Sequence, residues 1–146
     1  RAMTIRRIEG GILGNTTDMD TNMTPFEAGL GNFVDLGKDD FIGLSALLNA
    51  DKRTILMGLT CRTATPTSGS QILDGENQVG HITAGVSSPT LSLGIGYARF
   101  HTPGEWPYRT LTLQLSDGSR HACQIVEIPF FDRDHKIVRG IDRDIP

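Results

Sequence analysis

The amino-acid sequence predicts a mainly β fold. A small antiparallel barrel spans residues 53–131, preceded by a short helical and irregular segment over 1–52 and followed by a surface tail over 132–146. Three observations carry this reading. Apolar residues recur at helical spacing only before Arg53. After it, short apolar runs alternate with turn residues at the interval that small barrels and sandwiches use. Asp117-Gly118 stands between two alternating runs, a strong hairpin signal.

In chain order, Ile5, Ile8 and Ile12 mark one face of a first helix within Met3 to Ile12, and Gly10 and Gly11 suit its end. Gly14 to Asn22 is polar and reads as a loop. Phe26 to Leu36 is a strand or an irregular connection, since Gly29 and Gly31 argue against a helix. A second helix takes Asp39 or Asp40 as its N-cap, carries Phe41, Leu44, Leu47 and Leu48 on one face, and ends near Asn49. Strands follow at Thr54–Thr60, Gly69–Leu73, Val79–Val86, Leu93–Phe100, Leu111–Leu115 and His121–Ile128, with a turn at Asp74-Gly75-Glu76-Asn77. The tail from Asp132 lacks a sustained apolar period and belongs on the surface.

Composition narrows the function classes. The 146 residues are 38% hydrophobic and 21% charged, which suits one soluble globular domain or a small domain with an appendage. A net charge of −3 with no basic run gives no support to nucleic acid or an anionic membrane as a partner. No apolar run approaches a membrane span, and the first residues form no signal-peptide core, so a cytoplasmic location is expected. Cys61 and Cys123 lack C-x-x-C spacing and read as buried reduced thiols, with a disulfide or catalytic role the alternative.

Five short motifs, in order, carry a resemblance. Thr24-Pro25-Phe26-Glu27-Ala28-Gly29-Leu30-Gly31 is similar to a P-x-E-x-G-L segment, and Lys38-Asp39-Asp40-Phe41-Ile42-Gly43-Leu44-Ser45-Ala46-Leu47 to K-x-D-F-I-G-x-x-A-L. Arg7-Ile8-Glu9-Gly10-Gly11 resembles R-L-E-A-G, Ser88-Pro89-Thr90-Leu91 is S-P-T-L, and Ile128-Pro129-Phe130 resembles a closing x-P-F. Together they resemble the C-terminal part of the glycine-cleavage T-protein family of folate-dependent aminomethyl- and methyltransferases. The resemblance implies that 1–52 is the end of a folate-binding domain with a connecting helix, and that 53–131 is the family's C-terminal barrel. It also implies tetrahydrofolate as cofactor, a small methylated or aminomethyl-bearing substrate, and an upstream domain of the same polypeptide as partner. A chain that starts at Arg1 inside a continuous family segment reads as a fragment.

Two arginines are the candidate cofactor-binding residues. Arg7 matches the arginine of R-L-E-A-G, which in the family faces the folate. A planar guanidinium holds a carboxylate or heteroaromatic edge by two parallel hydrogen bonds. The alternative is a structural arginine paired with an acidic neighbour. Arg6 falls where the family has leucine. Arg133 follows Pro129-Phe130, where the family brings a basic tail residue toward the active site. Glu9 and Glu27 read as structural hydrogen-bonding carboxylates.

Other residues carry less. His81, His101, His121 and His135 show no metal spacing. Ser87 and Ser88 lack a nucleophile-elbow context, and Gly94-Ile95-Gly96 is followed by no helix, so it is no dinucleotide fingerprint. Trp106 reads as a packing lid over the barrel.

No catalytic residue is assigned. The family's catalytic aspartate and pterin-gripping acid belong to a region these residues do not contain, so the fragment alone is expected to be inactive. Asp40-Phe41-Ile42-Gly43 follows the transferase form rather than the K-G-C-Y-x-G-Q-E motif of relatives in iron–sulfur protein maturation. Gly14-Asn15-Thr16-Thr17-Asp18-Met19-Asp20 departs from the family's Tyr-Gly before D-x-D, which leaves open the folate-dependent demethylases and the C-terminal parts of dimethylglycine- or sarcosine-oxidising flavoenzymes. A non-catalytic lid or interaction module that binds no folate is the alternative from another class.

Overall fold

The computed structural model describes residues 2–134, 136, 137 and 139–143. Six antiparallel strands close into a barrel: β1 (Leu56–Cys61), β2 (Gln71–Asp74), β3 (Asn77–Ser88), β4 (Leu93–Phe100), β5 (Thr110–Gln114) and β6 (Arg120–Val126). Their order around the barrel is β1–β4–β3–β2–β5–β6, and β6 pairs back onto β1. Closure leaves no strand edge unpaired.

Two packing environments explain the strand patterns. β5 and β6 alternate, sending Leu111, Leu113, Cys123 and Ile125 inward. β1 and β4 are buried almost throughout. Their inner residues Leu59, Ala98 and Phe100 join the barrel core. On the outer face Leu56, Ile95 and Tyr97 meet Ile8 from α1 (Ala2–Glu9) and, from the chain after β6, Ile128 and Phe130. Strands covered on both faces read as continuous apolar runs, as Thr54 to Leu59 does. Burying Ile8 completely stabilises this outer layer by about 1.5–3 kcal/mol.

The local chemistry of the turns follows the sequence. The β5–β6 hairpin turns at Gly118 (φ +83°), while Asp117 Oδ1 accepts from Ser119 N at 2.9 Å and Ser119 Oγ at 2.6 Å. α1 ends at Glu9, three residues before the expected limit, because Gly11 enters the left-handed region at φ +71°. Ile12 N then donates to Arg7 O at 2.9 Å and Gly11 N to Ile8 O at 3.1 Å, a Schellman closure. Thr24 and Glu27 exchange reciprocal bonds at the start of a single turn, Thr24 N to Glu27 Oε2 at 2.7 Å and Glu27 N to Thr24 Oγ1 at 3.2 Å. Phe26–Leu36 is irregular, with one 3₁₀ turn over Gly31–Phe33.

The second helix differs from expectation. α2 spans only Leu44–Asn49, and its N-cap is Gly43 at φ +94°, not Asp39 or Asp40. A residue in that conformation ends helical geometry, so Phe41 falls outside the helix. Lys52 closes the other end by donating to Leu48 O at 3.2 Å, where a cation complements the helix dipole. No residue of α2 is buried, and Ile42 and Leu48 are exposed together with Phe33.

Trp106 lies against the barrel core, stacked on Phe100 with ring centroids 4.3 Å apart, and its Nε1 donates to Thr102 O at 2.9 Å. It is the lid expected from the sequence. Gly85 and Gly94, on neighbouring strands, let the 64–66 segment cross close over the sheet. A Cβ on Gly94 would sit 2.1 Å from Ala64 O, and one on Gly85 2.2 Å from Pro66 O. Because those neighbours are backbone, Gly94→Ala should lower unfolding free energy by about 1–3 kcal/mol, measured by urea denaturation. Gly118→Ala lacks any such clash and should show only the smaller cost of its positive φ.

Candidate functional site

The segment before the barrel is organised around a carboxylate. Asp18 is fully buried and accepts three hydrogen bonds: from Arg7 Nη1 at 2.6 Å, Gly14 N at 2.7 Å and Thr83 Oγ1 at 2.6 Å. These donors come from α1, from the loop after it and from β3. Thr83 lies at the bulge where β3 shifts register against β4 between Ile82 and Ala84, on the side that faces Asp18. A Cβ on Gly14 would lie 2.3 Å from Thr17 Oγ1 and 2.8 Å from Arg7 Nη1, so a side chain there would displace these two groups. Without these donors a buried charge would be strongly unfavourable.

Arg7 therefore has the acidic neighbour that its structural reading required. Its guanidinium hydrogen bonds all run through Nη1, to Asp18 and, at 3.4 Å, to Ile12 O. The group lies 5.7 Å from the Tyr97 ring centroid, and its side chain keeps 27% exposure. Among the described residues, Nε and Nη2 make no hydrogen bond. The Tyr97 hydroxyl has Arg7 O, Ile12 O and Ile8 O within 3.1–3.3 Å at the end of α1. Burial pushes the Tyr97 phenol upward, with Arg7 opposing and Asp18 adding to the shift.

Glu9 turns to another part of the barrel. It is buried and accepts from Ser88 Oγ, and Ser88 Oγ accepts in turn from Leu91 N at 3.0 Å. Its backbone carbonyl accepts from Phe130 N and Phe131 N, both at 3.1 Å. The motifs around Arg7, Ser88 and Pro129 thus meet through Glu9. Glu27 O likewise accepts from Ile55 N at 2.9 Å and Thr54 Oγ1 at 2.7 Å, fastening the Pro25-Phe26-Glu27 turn to the entry of β1. Both acids take structural hydrogen-bonding positions.

Asp20 completes the D-x-D pair by binding Arg99 Nη1 at 2.8 Å. That bond, followed by one from Asn22 N, holds its carboxyl below the usual range. Arg133 lies apart from the Arg7–Asp18 group. It is exposed and pairs with Glu127, and its guanidinium is pushed upward by Glu127 first and then by Tyr108. Among the histidines, burial lowers His81, helped by Arg99 and His101. His135 lies outside the described residues. Among the described residues, no three His, Cys, Asp or Glu side chains gather as a metal site, and no helix is long and apolar enough to cross a membrane.

Reading the sequence missed Asp18, Thr83, Ser88 and Tyr97 as site members. Asp18 carried a usable signal, an acid two residues from a second acid in a loop following two arginines. Thr83 carried none, because a bulge has no side-chain signature of its own. Arg7→Ala should destabilise the chain by about 3 kcal/mol, since it leaves Asp18 buried with one charged partner removed. Adding Asp18→Asn should recover part of that loss in chemical denaturation.

Comparison with known proteins gives the chain's family. Residues 55–132 match the family described as the glycine cleavage T-protein C-terminal barrel domain. An aminomethyltransferase of Streptomyces coelicolor is 32% identical over 135 residues, covering 87% of this chain and 36% of that protein. One from Halothermothrix orenii is 36% identical over 132 residues, covering 85% and 36%. The crystal structure of glycine cleavage system aminomethyltransferase T from Bartonella henselae superposes with a TM-score of 0.72 at 26% identity, over 90% of this chain and 38% of that one. The chain spans a little over a third of the length of the curated relatives it matches. With its closed six-stranded barrel and the family match over more than half its residues, the chain belongs to the glycine cleavage T-protein C-terminal barrel domain family.

Proposed function

We propose that this chain is the C-terminal portion of a tetrahydrofolate-dependent transferase that moves an aminomethyl or methyl group from a small substrate. The observation that carries the reading is that relatives named aminomethyltransferase align over 85–87% of the chain, including the segment before the barrel. The F-I-G form of Asp40-Phe41-Ile42-Gly43 supports the transferase branch. Tetrahydrofolate supplies the nitrogen that receives the one-carbon unit, and the chain's own residues hold and orient. Arg7 fits this task because Asp18 fixes one edge of its guanidinium while Nε and Nη2 stay available for a carboxylate or pterin edge. Arg133 is the second proposed contact, exposed on the chain that leaves the barrel.

Proton handling falls to another part of the protein. Asp18 already accepts from three donors and Asp20 is engaged by Arg99, so the carboxylate oxygens of both are committed within the chain. An upstream domain of the same polypeptide is the proposed partner, and the exposed Phe33, Ile42 and Leu48 give it an apolar surface to cover. A cytoplasmic setting is part of the proposal, and the charge balance without a basic run favours neither nucleic acid nor an anionic membrane as partner.

The isolated chain should show no transfer from a methylated amine, sulfonium or ether to tetrahydrofolate, and at most weak folate binding; turnover by the chain alone contradicts this. In the longer protein, Arg7→Lys keeps a charge beside Asp18 but loses the fork. It should raise the tetrahydrofolate Kd by roughly tenfold in calorimetric titration, the equivalent of one charge-assisted bond. An unchanged Kd would leave Arg7 as a clamp only.

A further inference from the structure

Outside that site, the barrel brings together two thiols and a chain of proton carriers. Cys61 on β1 stands opposite Cys123 on β6, and both side chains enter the barrel core. Ile125 N donates to Arg109 O at 2.9 Å and Tyr108 N to Ile125 O at 2.8 Å, so the peptide groups of Ile125 face the β5 side. Residues two apart share that direction. The peptide groups of Cys123 therefore also face β5, and Cys61–Cys123 is a non-hydrogen-bonded pair of the β1–β6 ladder. Such pairs hold Cα atoms about 4.5 Å apart with side chains close, within the roughly 4.4–6.8 Å that a disulfide spans.

Cys61 is buried but not in wholly apolar surroundings. Its Sγ lies 3.5 Å from Ala122 O and 3.8 Å from Thr63 Oγ1. Thr63 Oγ1 is 3.0 Å from His121 Nδ1, His121 Nε2 is 3.1 Å from Ser119 Oγ, and Ser119 Oγ is 2.6 Å from Asp117 Oδ1. One set of donors satisfies the whole row: Ser119 donates to Asp117, His121 Nε2 to Ser119, and Thr63 to His121 Nδ1. The Cys61 thiol donates to Ala122 O, and Thr63 Oγ1 is its second acceptor, the one that leads into the row. A surface depression of about 510 Å³ lies beside this row, with Thr63, His121, Ala122 and Cys123 in its lining. Burial, followed by the proximity of Cys61, pushes the Cys123 thiol up to about 12, which marks it as the partner that stays protonated.

We propose that Cys61 and Cys123 form a dithiol that a small peroxide oxidises to an intramolecular disulfide, with His121 taking the proton of Cys61 through Thr63. The Cys61 thiolate attacks one peroxide oxygen and the O–O bond breaks. Cys61 becomes a sulfenic acid, and the departing hydroxide recovers the proton from His121 as water. Cys123 sulfur then attacks Cys61 sulfur; the S–S bond forms, the S–O bond breaks, and the Cys123 proton leaves with the hydroxyl as a second water. Two thiols are oxidised and one peroxide is reduced.

The test uses the reduced chain treated with hydrogen peroxide, then denatured, alkylated with N-ethylmaleimide and weighed by mass spectrometry. The chain should lose the mass of two hydrogen atoms, take up no maleimide, and regain two reactive thiols with dithiothreitol. Cys61→Ser should abolish the mass loss. Thr63→Val and His121→Ala, with melting temperatures checked and His121→Gln as substitute if His121→Ala melts lower, should slow oxidation at least about tenfold, as expected for loss of a positioned proton acceptor. Four results overturn the proposal: two maleimides on peroxide-treated chain, a sulfinic acid on one cysteine, a disulfide between chains on a non-reducing gel, or wild-type rates in both relay variants.

Discussion

A carboxylate with no solvent contact has to be fully satisfied by protein, and Asp18 imposes that demand on everything that precedes the barrel. Its three donors come from separate pieces of chain, so satisfying it fixes α1, the 14–18 loop and the β3 bulge relative to one another. Glu9 acts in the same sense farther along the helix, joining Ser88 to the chain that leaves β6. Polar bonds of this kind contribute less net stability than apolar burial, but they allow one arrangement where apolar contact allows several. Ile8 supplies the burial; Asp18 and Glu9 supply the orientation.

That division of labour links fold to function. A barrel whose β1 and β4 had only an inner apolar face would leave α1 loose, and Arg7 would be one mobile cation among several. Because Leu56, Ile95 and Tyr97 also carry an apolar outer layer, α1 lies down on the sheet and Arg7 is held through Nη1 by Asp18. Rigid placement of a guanidinium lowers the entropy lost when a ligand is gripped. Under the proposed function, this portion of the protein positions rather than reacts.

Much of this architecture was legible in the residues. All six strands fell close to their expected positions, because period-two alternation and turn residues such as Asp117-Gly118 and Gly75 act locally. The end of α1 and the start of α2 were misplaced by a few residues each, through Gly11 and Gly43. Their positive φ values depend on how the flanking chain docks. The helical spacing of Leu44, Leu47 and Leu48 predicts an apolar face, yet Leu44 and Leu47 are only half-buried and Leu48 is exposed. Arg7 could be selected from its motif, but its bond to Asp18 is a contact across a loop and a bulge, which spacing along the chain does not encode. The facing of Cys61 and Cys123 was hidden for the same reason, since register between β1 and β6 is set by the closed barrel.

Amide hydrogen exchange of the chain tests most directly whether α1 and the barrel are one cooperative unit held by these buried carboxylates. The amides of Arg6 to Gly11 should then exchange in step with those of β1 and β4 in the wild type. They should become selectively fast in Asp18→Asn while the β5 and β6 amides stay protected. Rapid exchange of α1 in the wild type, beside a fully protected barrel, would contradict the account.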